Sequence, residues 1–375
     1  MLVYFIFCLF VYQIYYYIIG RHIRDWKSLE TLPAISDSPL SIISVIIPAR
    51  NEQENIGSCI ESVLKNNYSR ENYKIFIIND HSDDNTLEIC EKFVTLYPNV
   101  FVFSLPDNQK GKKAALLVGT EKSTGDIIFT LDADSTLLPY HLQSIATYFN
   151  DNEKLILTGP VRFSYTDSFT RMIAMELSGL MVITGAGYVN KWHHLANGTN
   201  MAYRRVHFEI LGGYSGSEKF SSGDDMFLMN KFKIRYPDAT GFLKSKEAIV
   251  ETEAPQNFQE FFRQRLRWST KNKSFPDRGM KSVLITMFLT SLLISVNLII
   301  SIWAGFTFLS IAIIGFLAKA IVDYRLIRIG AEYFNIKGWR PIFLPSEFFQ
   351  IIYVVFIGIT SLFKSKYTWK GRSCE

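Results

Sequence analysis

Apolar residues concentrate at the two ends of this 375-residue chain, and short apolar runs alternate with polar loops between them. Residues 1–20 contain no charged side chain, and Arg21, Arg24 and Lys27 follow directly. A segment of this length spans a bilayer and no small-residue cleavage site follows it, so the pattern predicts an uncleaved transmembrane anchor. The basic flank places the residues that follow on the cytoplasmic side.

The C-terminal part of the chain contains further apolar segments. Residues 283–322 are long enough for a hairpin of two spanning helices with a weak break at 303–305, and residues 346–363 are long enough for another span. Three spans would leave the basic tail outside, against the positive-inside rule, so the last segment either breaks this rule or is re-entrant or interfacial. The predicted parts are an anchor at 1–20, a linker at 21–41, a cytoplasmic soluble domain at 42–275, transmembrane or interfacial helices at 281–363 and a basic tail at 364–375.

The middle region alternates between strand-like and helix-like patterns. Short apolar runs typical of buried strands occur at 44–48, 74–78, 100–103 and 127–131. Helical spacing follows the first three of them, at 53–66, at 86–96 and from residue 110. Strands joined by helical crossovers predict an α/β fold whose mostly parallel sheet is covered by helices on both faces. Polar residues directly after these strands are expected to share one edge of the sheet.

Composition narrows the choice of partners. Hydrophobic residues make up 48% and aromatic residues 15% of the chain, which fits a membrane protein with a soluble middle region. The net charge of +5 is modest and Lys and Arg form no run, which argues against nucleic acid and favours anionic lipid or a phosphorylated substrate. The four cysteines are far apart in sequence and predict neither a zinc site nor a disulfide framework.

Asp132 and Asp134 follow the fourth strand pattern directly. Ligands of open α/β sheets bind at this end of the strands. Two carboxylates held this close repel each other unless a cation lies between them, and their hard oxygen atoms suit Mg²⁺ or Mn²⁺. The pair therefore predicts a metal ion that holds a substrate diphosphate. A solvated turn without a ligand is the alternative interpretation.

Two motifs further along the chain also carry candidate chemistry. Asp224 and Asp225 open a predicted helix, where acidic residues interact favourably with the helix dipole, so helix capping is the alternative to a catalytic role. Gln264, Arg267 and Trp268 lie within about one helical turn, and Gln264 shares a face with the other two. The basic residues around them also fit a helix at the membrane interface, whose Arg and Trp side chains reach the headgroups.

Taken together, these motifs resemble those of the membrane-bound family 2 glycosyltransferases. In chain order they are Pro48-Ala49-Arg50-Asn51-Glu52, Asp80, Lys110-Gly111-Lys112, Asp132-Ala133-Asp134, Gly223-Asp224-Asp225 and Gln264-x-x-Arg267-Trp268. The resemblance covers residues 44–268 and extends weakly into the flanking apolar segments. It implies a nucleotide-sugar-binding sheet of the GT-A type, which is Rossmann-like, with transmembrane helices on either side of it in the sequence.

The resemblance implies donor-binding roles for one set of residues. The matched positions are Pro48, Arg50, Glu52, Asp80, Lys112, Asp132 and Arg267. Carboxylates after the first two strands suit a uracil ring and ribose hydroxyl groups, and a lysine at a helix start suits a phosphate. The alternative for Glu52 and Asp80 is a solvated loop acid or a charge at a helix N-terminus. Without the family pattern, Lys112 would be interpreted as a surface lysine.

The resemblance also implies the metal, base and acceptor positions. Asp134 matches the direct ligand of Mg²⁺ or Mn²⁺, with Asp132 beside it and nearer the ribose. Asp225 matches the base that deprotonates the acceptor hydroxyl, while Asp224 stands where relatives often carry Glu, so which of the two is the base stays open. Two residues of the last motif, Gln264 and Trp268, match acceptor-binding positions.

The implied function is inverting, metal-dependent transfer of a sugar, expected from a UDP-sugar, to a lipid or membrane-associated glycan at the cytoplasmic face of the inner membrane. Such a hexosyltransferase would serve glycolipid or cell-envelope synthesis. A processive polysaccharide synthase and a polyprenyl-phosphate sugar transferase are alternatives within the same resemblance. A nucleotidyltransferase would need a similar sheet and metal. Outside the enzymes, the alternative is a nucleotide-binding membrane scaffold.

Overall fold

The computed structural model describes residues 1–32, 41–216, 223–274, 277–363, 367–369 and 372–374, with side chains up to residue 361 except 270–274. Residues 33–40 of the predicted linker and the side chains of the predicted basic tail lie outside this description. The helices are α1 (Leu2–Ser28), α2 (Ile56–Leu64), α3 (Thr86–Leu96), α4 (Lys112–Lys122), α5 (His141–Asp151), α6 (Ser168–Val189), α7 (Arg205–Ile210), α8 (Asp224–Arg235), α9 (Phe258–Ser274), α10 (Arg278–Ala304), α11 (Phe306–Tyr333) and α12 (Phe343–Phe363).

The strands match the predicted pattern where the sequence was most regular. They are β1 (Ile43–Ala49), β2 (Tyr73–Asn79), β3 (Val100–Ser104), β4 (Ile127–Thr130), β5 (Ser135–Leu137), β6 (Ile156–Thr158), β7 (Val161–Ser164), β8 (Met201–Arg204), β9 (Thr240–Phe242), β10 (Val250–Glu253), β11 (Tyr367–Trp369) and β12 (Arg372–Cys374). The four predicted strands are β1 to β4, and the helix predicted at 86–96 is α3.

The chain forms two compact units. The α/β unit consists of residues 30–163 and 194–253, and the helical unit of residues 1–29, 164–193 and 254–375. The soluble domain predicted at 42–275 is therefore interrupted, because α6 and α9 belong to the helical unit. The reason is packing: α6 contacts α1 and α11, and α9 contacts α12, so both bury their apolar faces against other helices.

The α/β unit is built on a seven-stranded sheet with the strand order β3-β2-β1-β4-β8-β6-β9. Within it β1 pairs in parallel with β2 and β4, and β2 pairs in parallel with β3. The strand β8 is antiparallel to both β4 and β6. A smaller sheet has the order β5-β10-β7. The predicted mostly parallel sheet is confirmed, and its central strands are buried along nearly their whole length, as expected with helices on both faces.

The strand order creates a reversal beside β1. The chain runs from β1 through β2 to β3 on one side and then places β4 on the other side of β1. Ligands of open α/β sheets bind in the crevice at such a reversal, outside the carboxyl ends of the strands. Helix α4 packs closely onto β1 because Gly119 has no side chain, since a Cβ there would lie 2.5 Å from Ile46 Cγ2. This packing fixes the start of α4 at the same edge.

The helical unit contains long apolar helices. Among the described residues, five helical segments are long and apolar enough to cross a membrane: α1, α6, α10, α11 and Arg340–Ser361. This is more than the three or four spans expected from the sequence, because α6 qualifies, although 72% of its most apolar window is buried inside the structure. The predicted hairpin divides at Gly305, whose φ of 83° favours glycine. Helix α1 continues to Ser28, through the first part of the predicted linker.

A cluster of ionisable side chains lies inside the helical unit. Lys319 of α11 is fully buried and contacts Asp323 one turn further along, with 2.6 Å between Nζ and Oδ2, and also Glu347 of α12. Tyr15 of α1 donates to both carboxylate oxygens of Asp323, at 2.7 and 2.8 Å. Gln350 accepts a further hydrogen bond from Lys319. The cluster therefore joins three helices that are distant in sequence.

Replacing Lys319 by methionine is expected to destabilise the protein strongly. Two carboxylates would stay buried without their ammonium partner, and breaking a buried pair in this way costs about 3–5 kcal/mol. Arg328→Met is the matched control, because Arg328 pairs with Glu332 at the same spacing on the same helix but is exposed, where a pair contributes about 0–1 kcal/mol. Thermal unfolding in detergent should show a much larger fall in Tm for Lys319→Met. Equal falls for the two variants would contradict this prediction.

Candidate functional site

The polar residues predicted to share one edge follow three neighbouring strands. Arg50 follows β1, Asp80 follows β2, and Asp132 lies two residues beyond β4. These strands are parallel neighbours, so their carboxyl ends meet at the same edge of the sheet. This edge is also where the strand order reverses, and it is therefore the expected ligand crevice of the fold.

Arg50 and Asp80 shape the first two loops of this edge. The Asp80 backbone N–H donates to the Ala49 carbonyl oxygen at 2.8 Å, and the buried Asp80 carboxylate accepts a hydrogen bond from Gly111 N–H at 3.0 Å. The Arg50 guanidinium donates to the backbone oxygens of Asp80 and His81, at 2.9 and 3.1 Å. Arg50 therefore braces the loop after β2, and Asp80 joins that loop to the start of α4. Their donor-binding roles stay predictions.

Lys112 and Asp132 form an ion pair on this edge. Lys112 is the first residue of α4, and its Nζ contacts Asp132 Oδ1. Burial alone would lower the pKa of Lys112, but the carboxylates of Asp132, Asp224 and Asp225 raise it above its ordinary value. The ammonium therefore stays charged. A charged lysine at a helix N-terminus is placed to bind a phosphate together with the exposed backbone N–H groups.

Asp134 lies among other acidic side chains. It is exposed at the surface, but the surrounding protein removes part of its hydration, and this desolvation together with the carboxylates of Asp132 and Glu52 raises its pKa to about 6. Lys112 and a hydrogen bond from Ser135 Oγ, at 3.2 Å from Asp134 Oδ1, offset only part of this effect. The edge therefore carries negative charge that the protein itself does not fully neutralise.

This acidic group fits a divalent cation that is bound jointly with a substrate. Among the described residues, no group of three or more His, Cys, Asp or Glu side chains could hold a metal ion. Mg²⁺ in phosphate-binding sites is usually held by one or two carboxylates plus substrate phosphates, so a complete protein cage is not required. Asp134 and Asp132 would supply the carboxylates. A cation there would relieve the repulsion that raises the pKa of Asp134.

A loop before β8 connects this edge with the start of α8. The Asp132 backbone N–H donates to Thr199 Oγ1 at 3.2 Å, and the Gly198 N–H donates to Asp225 Oδ2 at 3.2 Å. A Cβ on Gly198 would lie 3.3 Å from Lys112 Nζ and 3.6 Å from Asp225 Oδ2. Gly198 therefore marks the place where the Lys112–Asp132 pair and Asp225 come together.

The two acids at the start of α8 differ in their environments. Asp224 is 7% exposed, whereas Asp225 is half-buried and its Oδ1 accepts from the Met226 backbone N–H at 2.8 Å. The contact with Met226 shows that Asp225 also interacts with the helix N-terminus, as the capping alternative expects. A base must be reachable by the hydroxyl that it deprotonates, so accessibility favours Asp225 over Asp224.

The last motif lies in the other unit. Gln264, Arg267 and Trp268 are on α9 in the helical unit, whereas the residues described above are in the α/β unit. The ring of Phe261 on α9 packs against Phe349 of α12, with 5.5 Å between centroids. This packing buries one face of α9 against α12 within the helical unit. The donor and acceptor roles of the motif stay predictions.

Sequence reasoning missed the residues that link the two acidic motifs. Thr130 Oγ1 donates to the Gly198 carbonyl oxygen at 2.7 Å, and Thr199 Oγ1 donates to Ser135 Oγ at 2.9 Å. The sequence contained one signal, the polar run Asn197-Gly198-Thr199-Asn200 before a strand, which is typical of a loop. Only the antiparallel pairing of β8 with β4 brings that loop beside Asp132.

Comparison with known sequences supports the family resemblance. Residues 44–212 match the family model described as Glycosyl transferase family 2. The probable glycosyltransferase YdaM of Bacillus subtilis (strain 168) is 29% identical over 269 residues, which is 69% of this chain and 60% of that protein. The undecaprenyl-phosphate 4-deoxy-4-formamido-L-arabinose transferase of Proteus mirabilis (strain HI4320) is 24% identical over 146 residues, 39% of this chain. The chain spans 60% and 44% of the lengths of these two relatives.

A solved structure supports the fold. The mannosyltransferase PcManGT from Pyrobaculum calidifontis, solved in complex with GDP-Man and Mn²⁺, aligns with a TM-score of 0.57 and 16% identity, covering 95% of this chain and 96% of that one. This likeness confirms the predicted α/β fold of the GT-A type. The family match includes Asp132, Asp134 and Gly198, whereas Asp225 and α9 lie beyond it. Residues 44–212 are therefore similar to the glycosyltransferases of family 2, and these comparisons together support a glycosyltransferase.

Proposed function

We propose that the protein is a membrane-integrated glycosyltransferase that passes a sugar from a nucleotide-sugar, with a UDP-sugar as the expected donor, to a lipid or membrane-associated glycan with inversion. One observation carries this proposal. The Lys112–Asp132 pair and Asp225 meet beside Gly198, at the sheet edge where the strand order reverses. The Lys112 ammonium and the accessible Asp225 carboxylate are therefore neighbours, and this supports a donor phosphate and an acceptor hydroxyl at this edge.

The donor would lie along the ends of β1, β2 and β4. Glu52 and Asp80 offer carboxylates to the base and ribose of a nucleotide, and Lys112 offers its ammonium to the diphosphate. Pro48 lies near the end of β1 and Arg50 follows that strand, and Arg50 donates to the backbone oxygen of Asp80. Lys112 neutralises Asp132, and a diphosphate would provide a second anion for the same ammonium.

The acceptor would be activated by Asp225. A sugar hydroxyl has a high pKa and needs a base to take its proton as the oxygen attacks. The new bond forms between the acceptor oxygen and the anomeric carbon while the bond to the diphosphate breaks, and the proton passes to the Asp225 carboxylate. Attack from the side opposite the leaving group inverts the anomeric configuration.

Asp134 and Asp132 would hold Mg²⁺ or Mn²⁺ at this edge. When bound, the ion supplies Lewis-acid stabilisation of the negative charge on the departing nucleoside diphosphate. The protein's own contribution is the placement of these carboxylates beside Lys112, whose ammonium offers further positive charge.

The membrane helices support a hydrophobic acceptor, and polyprenyl phosphate is a second candidate. The relative from Proteus mirabilis is named as an undecaprenyl-phosphate sugar transferase, which favours this candidate. The Gln264-x-x-Arg267-Trp268 motif argues the other way, because relatives of that kind usually lack it and polysaccharide synthases carry it. The basic flank of α1 supports a cytoplasmic catalytic side.

Membranes containing the protein, incubated with radiolabelled UDP- and GDP-sugars and native lipid extract, would test this function. We expect one donor to give a lipid-extractable product with release of the nucleoside diphosphate. Insoluble polymer would favour the processive alternative, a mild-acid-labile lipid phosphate would favour polyprenyl phosphate, and released pyrophosphate would indicate nucleotidyl transfer. Nucleotide binding without transfer from any donor would favour the scaffold alternative.

Replacing Gly198 by alanine is expected to lower transfer at least about tenfold without unfolding the protein. The added methyl would lie 3.3 Å from Lys112 Nζ, so this ammonium must shift by a few tenths of an ångström, and it would be in ordinary contact with Asp225 Cβ at 3.5 Å. Misplacement by about 1 Å in a catalytic site can cost about a hundredfold in rate. Gly57→Ala is the control, because a Cβ there meets only Ile89 Cγ2 at 3.9 Å. Initial rates and Tm measured side by side would check the result.

A further inference from the structure

Helix α9 packs on α12 through aromatic side chains. The Phe261 ring lies 5.5 Å from Phe349 and 5.1 Å from Tyr353, and the Phe262 ring lies 5.4 Å from Phe356, measured between centroids. Aromatic pairs at such distances stabilise an interface beyond the area that they bury. One face of α9 is therefore fixed against its neighbours in the helical unit.

A buried arginine occupies the same face. Arg265, one turn after Phe261, is 7% exposed, and its Nη2 donates to Glu176 Oε2 of α6 at 3.0 Å. The other carboxylate oxygen of Glu176 accepts a hydrogen bond from Tyr353 of α12. A buried charge is costly unless it is paired and hydrogen-bonded. These contacts pair the Arg265 guanidinium with Glu176 and join α9 to two other helices, although Arg265 Nε has no hydrogen-bond partner among the described residues.

Arg265 also touches two residues of the Gln-x-x-Arg-Trp motif. Its Nη1 donates to Gln264 Oε1 at 3.2 Å, and its guanidinium carbon lies 4.5 Å from the centroid of the Trp268 ring. A guanidinium stacked on an indole ring is attracted to the ring face, and this attraction restricts the orientation of the ring. Arg267 lies two residues further on and is therefore rotated by about 160° from Arg265 around the helix. The two arginines cannot have the same partners.

We propose that Arg265, tied to Glu176 and Tyr353, is a positioning residue that holds Gln264 and Trp268 in the orientation needed to bind the acceptor. This inference rests on the proposed function, in which Gln264 and Trp268 contact the acceptor. It separates Arg265 from Arg267 of the motif, because Arg265 orients the acceptor-binding pair. Glu176, one of the two charged residues of α6, holds Arg265 in this arrangement.

The variant Arg265→Lys tests whether the shape of the Arg265 side chain, and not only its positive charge, is needed to orient Gln264 and Trp268. Lysine keeps a cation for Glu176, but it lacks the planar guanidinium that stacks on Trp268 and reaches Gln264 at the same time. We expect the concentration of native lipid extract that gives half-maximal rate to rise at least tenfold. The Kd for UDP in the presence of Mn²⁺ should stay within twofold of wild type, because the contacts that change do not involve the proposed nucleotide-binding residues. Arg263→Lys is the matched control, since Arg263 is exposed on the same helix.

A spectroscopic measurement makes the test independent of turnover. With 5-fluorotryptophan incorporated, the ¹⁹F resonance of Trp268 can be assigned by its loss in Trp268→Phe. Arg265→Lys and Glu176→Gln should both shift this resonance, and Arg263→Lys should leave it in place. Glu176→Gln keeps the shape of the side chain but removes the charge that holds Arg265, so it should also raise the half-saturating lipid concentration.

The outcomes distinguish this inference from the function on which it rests. Wild-type protein that transfers no sugar would contradict the proposed function. Wild-type transfer combined with an Arg265→Lys variant that matches Arg263→Lys in half-saturating lipid concentration would overturn the inference alone. If Arg265→Lys does not fold, Glu176→Gln provides the same comparison. Failure of both variants to fold would also overturn the inference, because the Arg265–Glu176 pair would then stabilise the whole helical unit and not the motif specifically.

Discussion

Replacing Asp225 by asparagine is expected to reduce sugar transfer by about a hundredfold to ten-thousandfold, the range that a general base contributes. Asparagine has nearly the same size, and its amide oxygen can still accept from Gly198 N–H or Met226 N–H, so the loop and the start of α8 should keep their structure. The amide cannot take the proton of an attacking hydroxyl. Turnover should therefore fall while the Kd for UDP stays near that of the wild type.

Two other substitutions make the Asp225 result specific. Asp224→Asn should have a smaller effect on turnover, because Asp224 is 7% exposed and less accessible to an acceptor. Asp151→Asn, at the exposed end of α5, should have none. Initial rates and nucleotide affinity measured on the same preparations would check all three variants. A large loss of turnover for Asp224→Asn with normal turnover for Asp225→Asn would show that Asp224 is the base. Normal turnover in both variants would show that the base is not on α8.

The part of the site that could be predicted from sequence is the part built from local patterns. Buried strands have recognisable apolar runs, and in a parallel sheet the residues after each strand reach the same edge. This is why Arg50, Asp80 and Asp132 could be placed together before the structure was known. The pairing of Lys112 with Asp132 follows from the same rule, because α4 begins where the third crossover leaves that edge.

The parts that could not be predicted depend on pairing between distant segments. Gly198 contacts Asp225 only because β8 runs antiparallel to β4, which brings the loop before β8 to the edge of the sheet that carries Asp132. No local pattern fixes that register. The division of the chain into two units was missed for a similar reason, since the apolar faces of α6 and α9 show that they are buried but not which element covers them.

Charged residues on buried helix faces depend on distant partners in the same way. The carboxylate of Glu176 in α6 is paired with Arg265 and Tyr353 inside the helical unit. Arg265 is one of several basic residues of α9, but it lies on the buried face of that helix. A buried charge is costly unless it is paired, and its partner can lie on another element. Each such residue therefore predicts the existence of its partner but not that partner's position.

Replacing Asp134 by asparagine is expected to remove metal-dependent activity and, at the same time, to stabilise the metal-free protein. The pKa of Asp134 in the folded chain is about 6, above its ordinary value of 3.8, because desolvation and the carboxylates of Asp132 and Glu52 disfavour its charge. An acid whose pKa is raised by folding makes the folded state less stable once it ionises. With EDTA present, Asp134→Asn should therefore have a higher Tm than wild type at pH 8, and this difference should shrink as the pH falls through 6 towards 4.

The same substitution should have the opposite effect once metal is present. Lewis-acid stabilisation of a leaving group contributes several kcal/mol, so its loss should lower the rate by at least about a hundredfold, at 1.36 kcal/mol per factor of ten. Wild-type activity should disappear with EDTA and return with Mn²⁺ or Mg²⁺. Saturating Mn²⁺ and UDP should raise the wild-type Tm, since a ligand at a hundred times its Kd stabilises by about 2.7 kcal/mol, and should leave the variant nearly unchanged. Asp151→Asn should behave as wild type in every arm. If the variant keeps both the metal-dependent activity and the rise in Tm with Mn²⁺ and UDP, Asp134 is not the metal ligand. If it loses both but its Tm in EDTA does not exceed that of wild type, the charge of Asp134 does not destabilise the metal-free protein.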